Sequence, residues 1–105
     1  MKAMIIQPMS GKTDKEIIEV RKKVINVLEK SGYEVVNTLF TDEFYKDENL
    51  RNIGIVQIPV YFISKSLQMM SYCDAVYLCK GWRDARGCII EHEVAKAYGL
   101  KLIYE

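Results

Sequence analysis

Four short apolar runs, residues 3–7 (AMIIQ), 33–37 (YEVVN), 75–79 (AVYLC) and 100–104 (LKLIY), are separated by stretches whose apolar residues recur at helical spacing. No other feature limits the fold as strongly. Each run is too short for a stable helix, and the third is apolar throughout instead of alternating, which is the pattern of a strand buried on both faces. Between the first two, Thr13 with Glu16 three residues on reads as a capping box. Ile17, Val20, Val24, Val27 and Leu28 then hold helical spacing until Ser31-Gly32 stops the run, giving a helix of about 18 residues. Ile63, Leu67 and Met70 predict a second helix over about 60–72, and residues 88–98 predict a third, ended by Gly99. Residues 38–57 show no clean period and read as a long loop with at most a short helix. Strands alternating with helices imply a doubly wound, three-layer α/β domain. Its parallel sheet has about four strands, in the order 2-1-3-4, with right-handed crossovers.

Composition narrows the function class. The chain has 105 residues, half of them hydrophobic and 28% charged, so 1–105 is one domain with enough apolar surface to order itself. A formal net charge of +1 with interspersed signs offers no basic stripe, so nucleic acid is not an expected partner. The apolar run after Met1 is too short for a signal-peptide core, and no stretch reaches membrane-span length, so a cytoplasmic protein without membrane association is expected. Cys73, Cys79 and Cys88 are odd in number and lack a CxxC spacing, and only His92 is available as an imidazole partner. They read as reduced packing cysteines; neither a metal nor a cofactor is expected.

In an open parallel sheet, ligands bind beyond the carboxyl ends of the strands. Three segments meet that description: residues 8–13 after the first strand, the segment after Asn37, and residues 81–87 after the third; the first and last of these should face one another. Gly11-Lys12-Thr13 resembles the tail of a phosphate-binding loop. The first glycine of that motif would fall at Ile6, so a triphosphate cradle is excluded. What remains is a turn at Gly11 and a cap at Thr13, or backbone N–H groups of Pro8–Gly11's loop touching a phosphate or sugar. In the loop 81–87, Gly81-Trp82 and Arg86-Gly87 bracket a turn leading into a helix with Glu91 on its first turn. Glu91 is either an ordinary first-turn glutamate or a carboxylate kept ionised by the helix dipole for nucleophilic or electrostatic work. Gly87 would allow close backbone approach, and Trp82 is a lid or a stacking platform. His92 points elsewhere on the helix and reads as a packing or surface residue, and Asp74 as a cap of the turn before the third strand. Arg83 and Arg86 could each take a phosphate through the guanidinium fork, or be solvated.

The segments Pro8-Met9-Ser10-Gly11, Gly32-Tyr33-Glu34-Val35-Val36-Asn37, Cys73-Asp74-Ala75-Val76-Tyr77-Leu78, Gly81-Trp82, Ala85-Arg86-Gly87-Cys88 and Glu91-His92 together resemble the small phage and bacterial domains grouped with nucleoside 2-deoxyribosyltransferases. More distantly they are similar to the deoxynucleoside 5'-monophosphate N-glycosidases of that superfamily. The likeness spans nearly the whole chain, least in residues 38–57. It implies a flavodoxin-like fold, a homodimer or higher homo-oligomer, and cleavage or exchange of the N-glycosidic bond of a nucleoside or nucleotide. By the spacing from Gly87, it makes Glu91 the nucleophile, with Pro8, Met9, Ser10, Gly11, Gly81, Trp82, Arg86 and Gly87 around the ligand. The chain departs from the family pattern at four places. Met4 stands for a tyrosine, Gln7 for a glycine, Ser66 for an aspartate that assists the leaving base, and Ala85 for a serine that contacts phosphate or sugar. General-acid help would then come from Asp84, Asp42 or a carboxylate of a partner subunit, or be absent. Two functions follow as expectations: an N-glycosidase or 2-deoxyribosyltransferase, or a non-catalytic nucleotide-binding module using the same cleft. The aromatic residues Tyr45, Tyr61, Phe62 and Trp82 exceed what one thin sheet covers, which also points to a dimer sharing the cleft.

Overall fold

A computed structural model describes all 105 residues. The strands β1 (Lys2–Ile6), β2 (Glu34–Val35), β3 (Ala75–Leu78) and β4 (Lys101–Tyr104) form one parallel sheet in the order β2-β1-β3-β4. The helices are α1 (Asp14–Lys30), α2 (Asp47–Asn52), α3 (Ile58–Met70) and α4 (Arg86–Ala97). Side-chain alternation along β1 and β3 divides the core. Ala3, Ile5, Ala75, Tyr77 and Cys79 pack with Val24 and Leu28 of α1, whereas Met4, Ile6, Val76 and Leu78 pack with Met70 of α3 and with Cys88 and Ala95 of α4. This is the expected three-layer α/β arrangement, with one helix on one face and two on the other, as right-handed crossovers in this strand order require.

Local chemistry explains the boundaries. Thr13 caps α1 through Glu16 N–H, and the Glu16 carboxylate accepts from Thr13 N–H, which closes the predicted box. Pro59 sits in the first turn of α3, where its missing N–H costs nothing. Strand β2 is shorter than the expected 33–37. Tyr33 N–H still bonds back to Leu28 O, in the turn that ends α1, and Val36 N–H makes the last bond to β1, on Ala3 O. Residues 38–57 are the expected long segment with a short helix. They hold a 3-10 turn at Glu43–Tyr45 and then α2, anchored by the fully buried Leu50. Helix α4 starts at Arg86, two residues earlier than the spacing predicts. Asp74 caps no helix. Its Oδ2 accepts from Lys2 N–H at 2.8 Å and its own N–H donates to Lys2 O, pinning the start of β1 to the start of β3. No helix is long and apolar enough to cross a membrane.

Candidate functional site

The loops after β1 and β3 meet at the carboxyl edge of the sheet. Gly81 takes the left-handed conformation (φ 89°), and a Cβ there would lie 3.5 Å from Pro8 Cγ, so the turn both needs glycine and sits against the first loop. Between the loops is a cavity of about 260 Å³, lined by Pro8, Ser10 and Lys12 on one side and by Lys80, Gly81, Asp84 and Ala85 on the other. Two ammonium groups and one carboxylate therefore border a small polar hollow. A second hollow of about 320 Å³ shares Lys80, Gly81 and Asp84 and continues to Trp82, Arg83, Tyr104 and Glu105.

Glu91 lies on the second turn of α4, not the first, because the helix begins at Arg86. The dipole's pull on a carboxylate fades beyond the first turn, and burial takes over. Burial pushes the Glu91 carboxyl up to about 7, against the opposing attraction of the Arg21 guanidinium. The expected dipole-stabilised anion is therefore a carboxyl that titrates near neutrality. Helix rise sets it roughly 9 Å further along α4 than Ala85, and it is not among the residues that line the inter-loop cavity.

The positive charge acting on Glu91 belongs to a buried polar network that hydrophobic period does not reveal. Arg21 is 6% exposed. Its Nε donates to Gln7 Oε1 at 2.9 Å and its Nη1 to Thr38 Oγ1 at 3.1 Å, while Gln7 Nε2 donates to Ile17 O and the Thr38 hydroxyl to Ile5 O. No carboxylate lies within ion-pair distance of it. Desolvation lowers the Arg21 pKa, with Cys79 and Glu91 pulling it back. A signal was available, since Ile17, Arg21, Val24 and Leu28 form one stripe of α1 at i, i+4, i+7 and i+11, all buried. An arginine on a core-facing stripe marks a buried polar centre. Gln7 supplies one of its two side-chain acceptors.

His92 is a packing residue, as one of its two expected readings held. It is 6% exposed, its Nε2 lies 2.7 Å from Tyr104 Oη and its Nδ1 3.0 Å from Glu93 Oε1. The Trp82 ring rests on it with centroids 4.2 Å apart, and the Arg83 guanidinium lies 5.0 Å from the Trp82 centroid. Trp82 thus belongs to a cluster at the β4 side and lines the second hollow rather than the inter-loop cavity.

Of the other sequence-derived site residues, Pro8, Ser10 and Gly81 line the inter-loop cavity, while Met9, Gly11, Arg86 and Gly87 do not. Gly11 makes a left-handed turn in open space, Met9 and Arg86 are exposed, and Gly87 faces Ile63 of α3. Among the departures, Met4 is fully buried core, Ser66 sits half-buried on α3, and Ala85 occupies the N-cap of α4 without a capping hydroxyl. Asp84 is on the cavity wall, whereas Asp42 precedes the 3-10 turn at Glu43–Tyr45, makes no side-chain capping bond there, and is not in the lining. Burial pushes Cys79 to about 11 and Cys88 to about 12, so both stay neutral thiols. No three His, Cys, Asp or Glu side chains gather as a metal site would require.

No curated protein and no solved structure matches the chain. A family model does, over residues 1–104, which takes in both loops, Glu91 and the Gln7–Arg21–Thr38 network. The chain belongs to the family described as Domain of unknown function (DUF4406).

Proposed function

We propose that this chain cleaves or exchanges the N-glycosidic bond of a deoxynucleoside or its 5'-monophosphate, with Glu91 as the nucleophile. The observation that carries the reading is a half-buried carboxyl on α4, acted on by one buried arginine, on the helix that follows directly from the loop walling the inter-loop cavity. A substrate entering between the loops must extend past Ala85 along α4 to reach Glu91; the ionised Glu91 attacks the anomeric carbon, the C–N bond breaks, and the pair of electrons leaves with the base, which takes a proton from a protonated acid, for which Asp84 on the cavity wall is the candidate. Water, giving its proton to the Asp84 carboxylate, or a second base, giving its ring N–H proton there, then displaces Glu91, restoring both groups. Arg21 favours the ionised form that must attack, and Lys12 and Lys80 border the space for the sugar or a phosphate.

Ala85 on the cavity wall and Ser66 on α3 remove two polar groups the glycosidases use, which favours a second reading, a nucleotide-binding module without turnover. Chromatographic release of free base from a panel of nucleosides and nucleoside monophosphates separates the two. Wild type should release base, and Glu91→Gln should not. Absence of base release, together with a nucleotide-dependent rise in melting temperature, would leave only the binding reading; absence of both would sink the two together.

A further inference from the structure

The sheet has two edges of unequal kind. β2 presents two residues, whereas β4 is four residues long, holds no proline or bulge, and is uncovered along its outer side. Two separate hollows border it, one lined by Tyr33 and by Lys101–Tyr104 of β4 itself, the other by Val27, Tyr77 and Glu105, with Val27 half exposed. We propose that β4 pairs antiparallel with β4 of a second copy of this chain, about a two-fold axis at Ile103, joining two sheets into one of eight strands.

The register follows from the backbone. Lys101 N–H donates to Asp74 O and Glu105 N–H to Leu78 O, so the odd residues of β4 turn their polar groups inward to β3. Leu102 and Tyr104 therefore turn theirs outward to the free edge. Two copies can bond only where outward residues meet outward residues, which permits two-fold centres at Leu102, Ile103 or Tyr104. Centring on Leu102 sets Lys101 against the partner's Ile103, and centring on Tyr104 sets Ile103 against the partner's Glu105. Only the centre at Ile103 matches like with like. Leu102 then exchanges backbone bonds with the partner's Tyr104, about four bonds in all, Ile103 meets the partner's Ile103, and Lys101 lies opposite the partner's Glu105 on both sides of the axis.

A lysine on an edge strand ordinarily deters pairing. Here the opposite charge sits two residues beyond Ile103, so the deterrent becomes an attraction in one register and stays repulsive or unpaired in the others. One Glu105 oxygen accepts from Lys80 N–H at 3.1 Å, which leaves the second free for the partner's lysine. The proposal does not depend on the chemistry assigned to Glu91.

The test is sedimentation velocity and light scattering on the full chain from about 1 µM to 1 mM, since so short an interface should associate in roughly the micromolar to hundred-micromolar range. Wild type should dimerise. Lys101→Glu and Glu105→Lys should each weaken dimerisation at least about tenfold, with circular dichroism confirming that both fold. The double variant Lys101→Glu/Glu105→Lys should dimerise again, and an equimolar mixture of the two single variants should form heterodimers. A wild type that stays monomeric to 1 mM, single variants that dimerise as well as wild type, or a double variant that does not recover would each overturn the assignment.

Discussion

Replacing Glu91 by glutamine tests the electrostatics of the site without any ligand. In the folded chain, burial lifts the Glu91 carboxyl from 4.5 to about 7. Between those values the folded state holds a proton that the unfolded state has already released, so unfolding free energy falls as pH rises through the interval. The destabilisation is absent below about pH 4 and complete above about pH 8. A shift of this size corresponds to about 3 kcal/mol, and the residual solvent contact of a half-buried side chain reduces it to about 2 kcal/mol. Glutamine cannot ionise and carries none of it. The difference in unfolding free energy, Glu91→Gln minus wild type, should therefore grow by about 2 kcal/mol between pH 4 and pH 9, or roughly 10 °C in melting temperature for a domain of this size. Urea titrations of both proteins at five pH values measure it, and contributions from all other groups cancel in the subtraction. A difference that stays flat across the range would refute the dominance of burial. A difference of the opposite sign would mean that Arg21 holds the carboxylate more firmly than burial opposes it.

Arg21→Met should lower stability by about 2–4 kcal/mol in urea melts, because Gln7 Oε1 and Thr38 Oγ1 lose a buried donor. If base release is found, its rate should rise with pH through about 7, as Glu91 ionises, and Arg21→Met should move that midpoint upward. Thr13→Ala removes the capping hydroxyl of α1 and should cost about 1 kcal/mol, read by thermal melting. Tyr104→Phe should cost about 1 kcal/mol and shift the emission of Trp82, the single tryptophan, whose ring rests on the histidine that Tyr104 holds; unchanged emission would count against that coupling.

The order of strands and the two faces of the core were legible because they rest on hydrophobic period. β1 and β3 read as buried runs, and Thr13 with Glu16 announced α1. The two loops could be placed for the same reason, since strand order alone brings residues 8–13 and 81–87 together. What escaped was polar or short. A short helix was allowed within residues 38–57 but not located, because α2 spans six residues with one buried side chain, Leu50, too few for a period to register. Arg21 has the spacing of a core residue but not the hydrophobicity, and Gln7 and Thr38, its partners, lie 14 and 17 residues away in sequence. The protonation of Glu91 depended on where α4 begins and on how much of the fold covers it, neither of which residue spacing contains.

The pairing of Ala3 with Ala75, and the clamp of Asp74 on Lys2, have a consequence for synthesis. β1 is an inner strand, yet its longer partner lies some seventy residues downstream, with α1, α2 and α3 all translated in between. On the ribosome α1 can coil as soon as it emerges, but its apolar stripe has only β1 and the two-residue β2 to cover until β3 leaves the exit tunnel. Closing so long a loop before any of β3's contacts form should make sheet assembly late and rate-limiting. The nascent chain would hold Met4 and Ile6 exposed through most of translation, which is the interval in which a chaperone has most to offer.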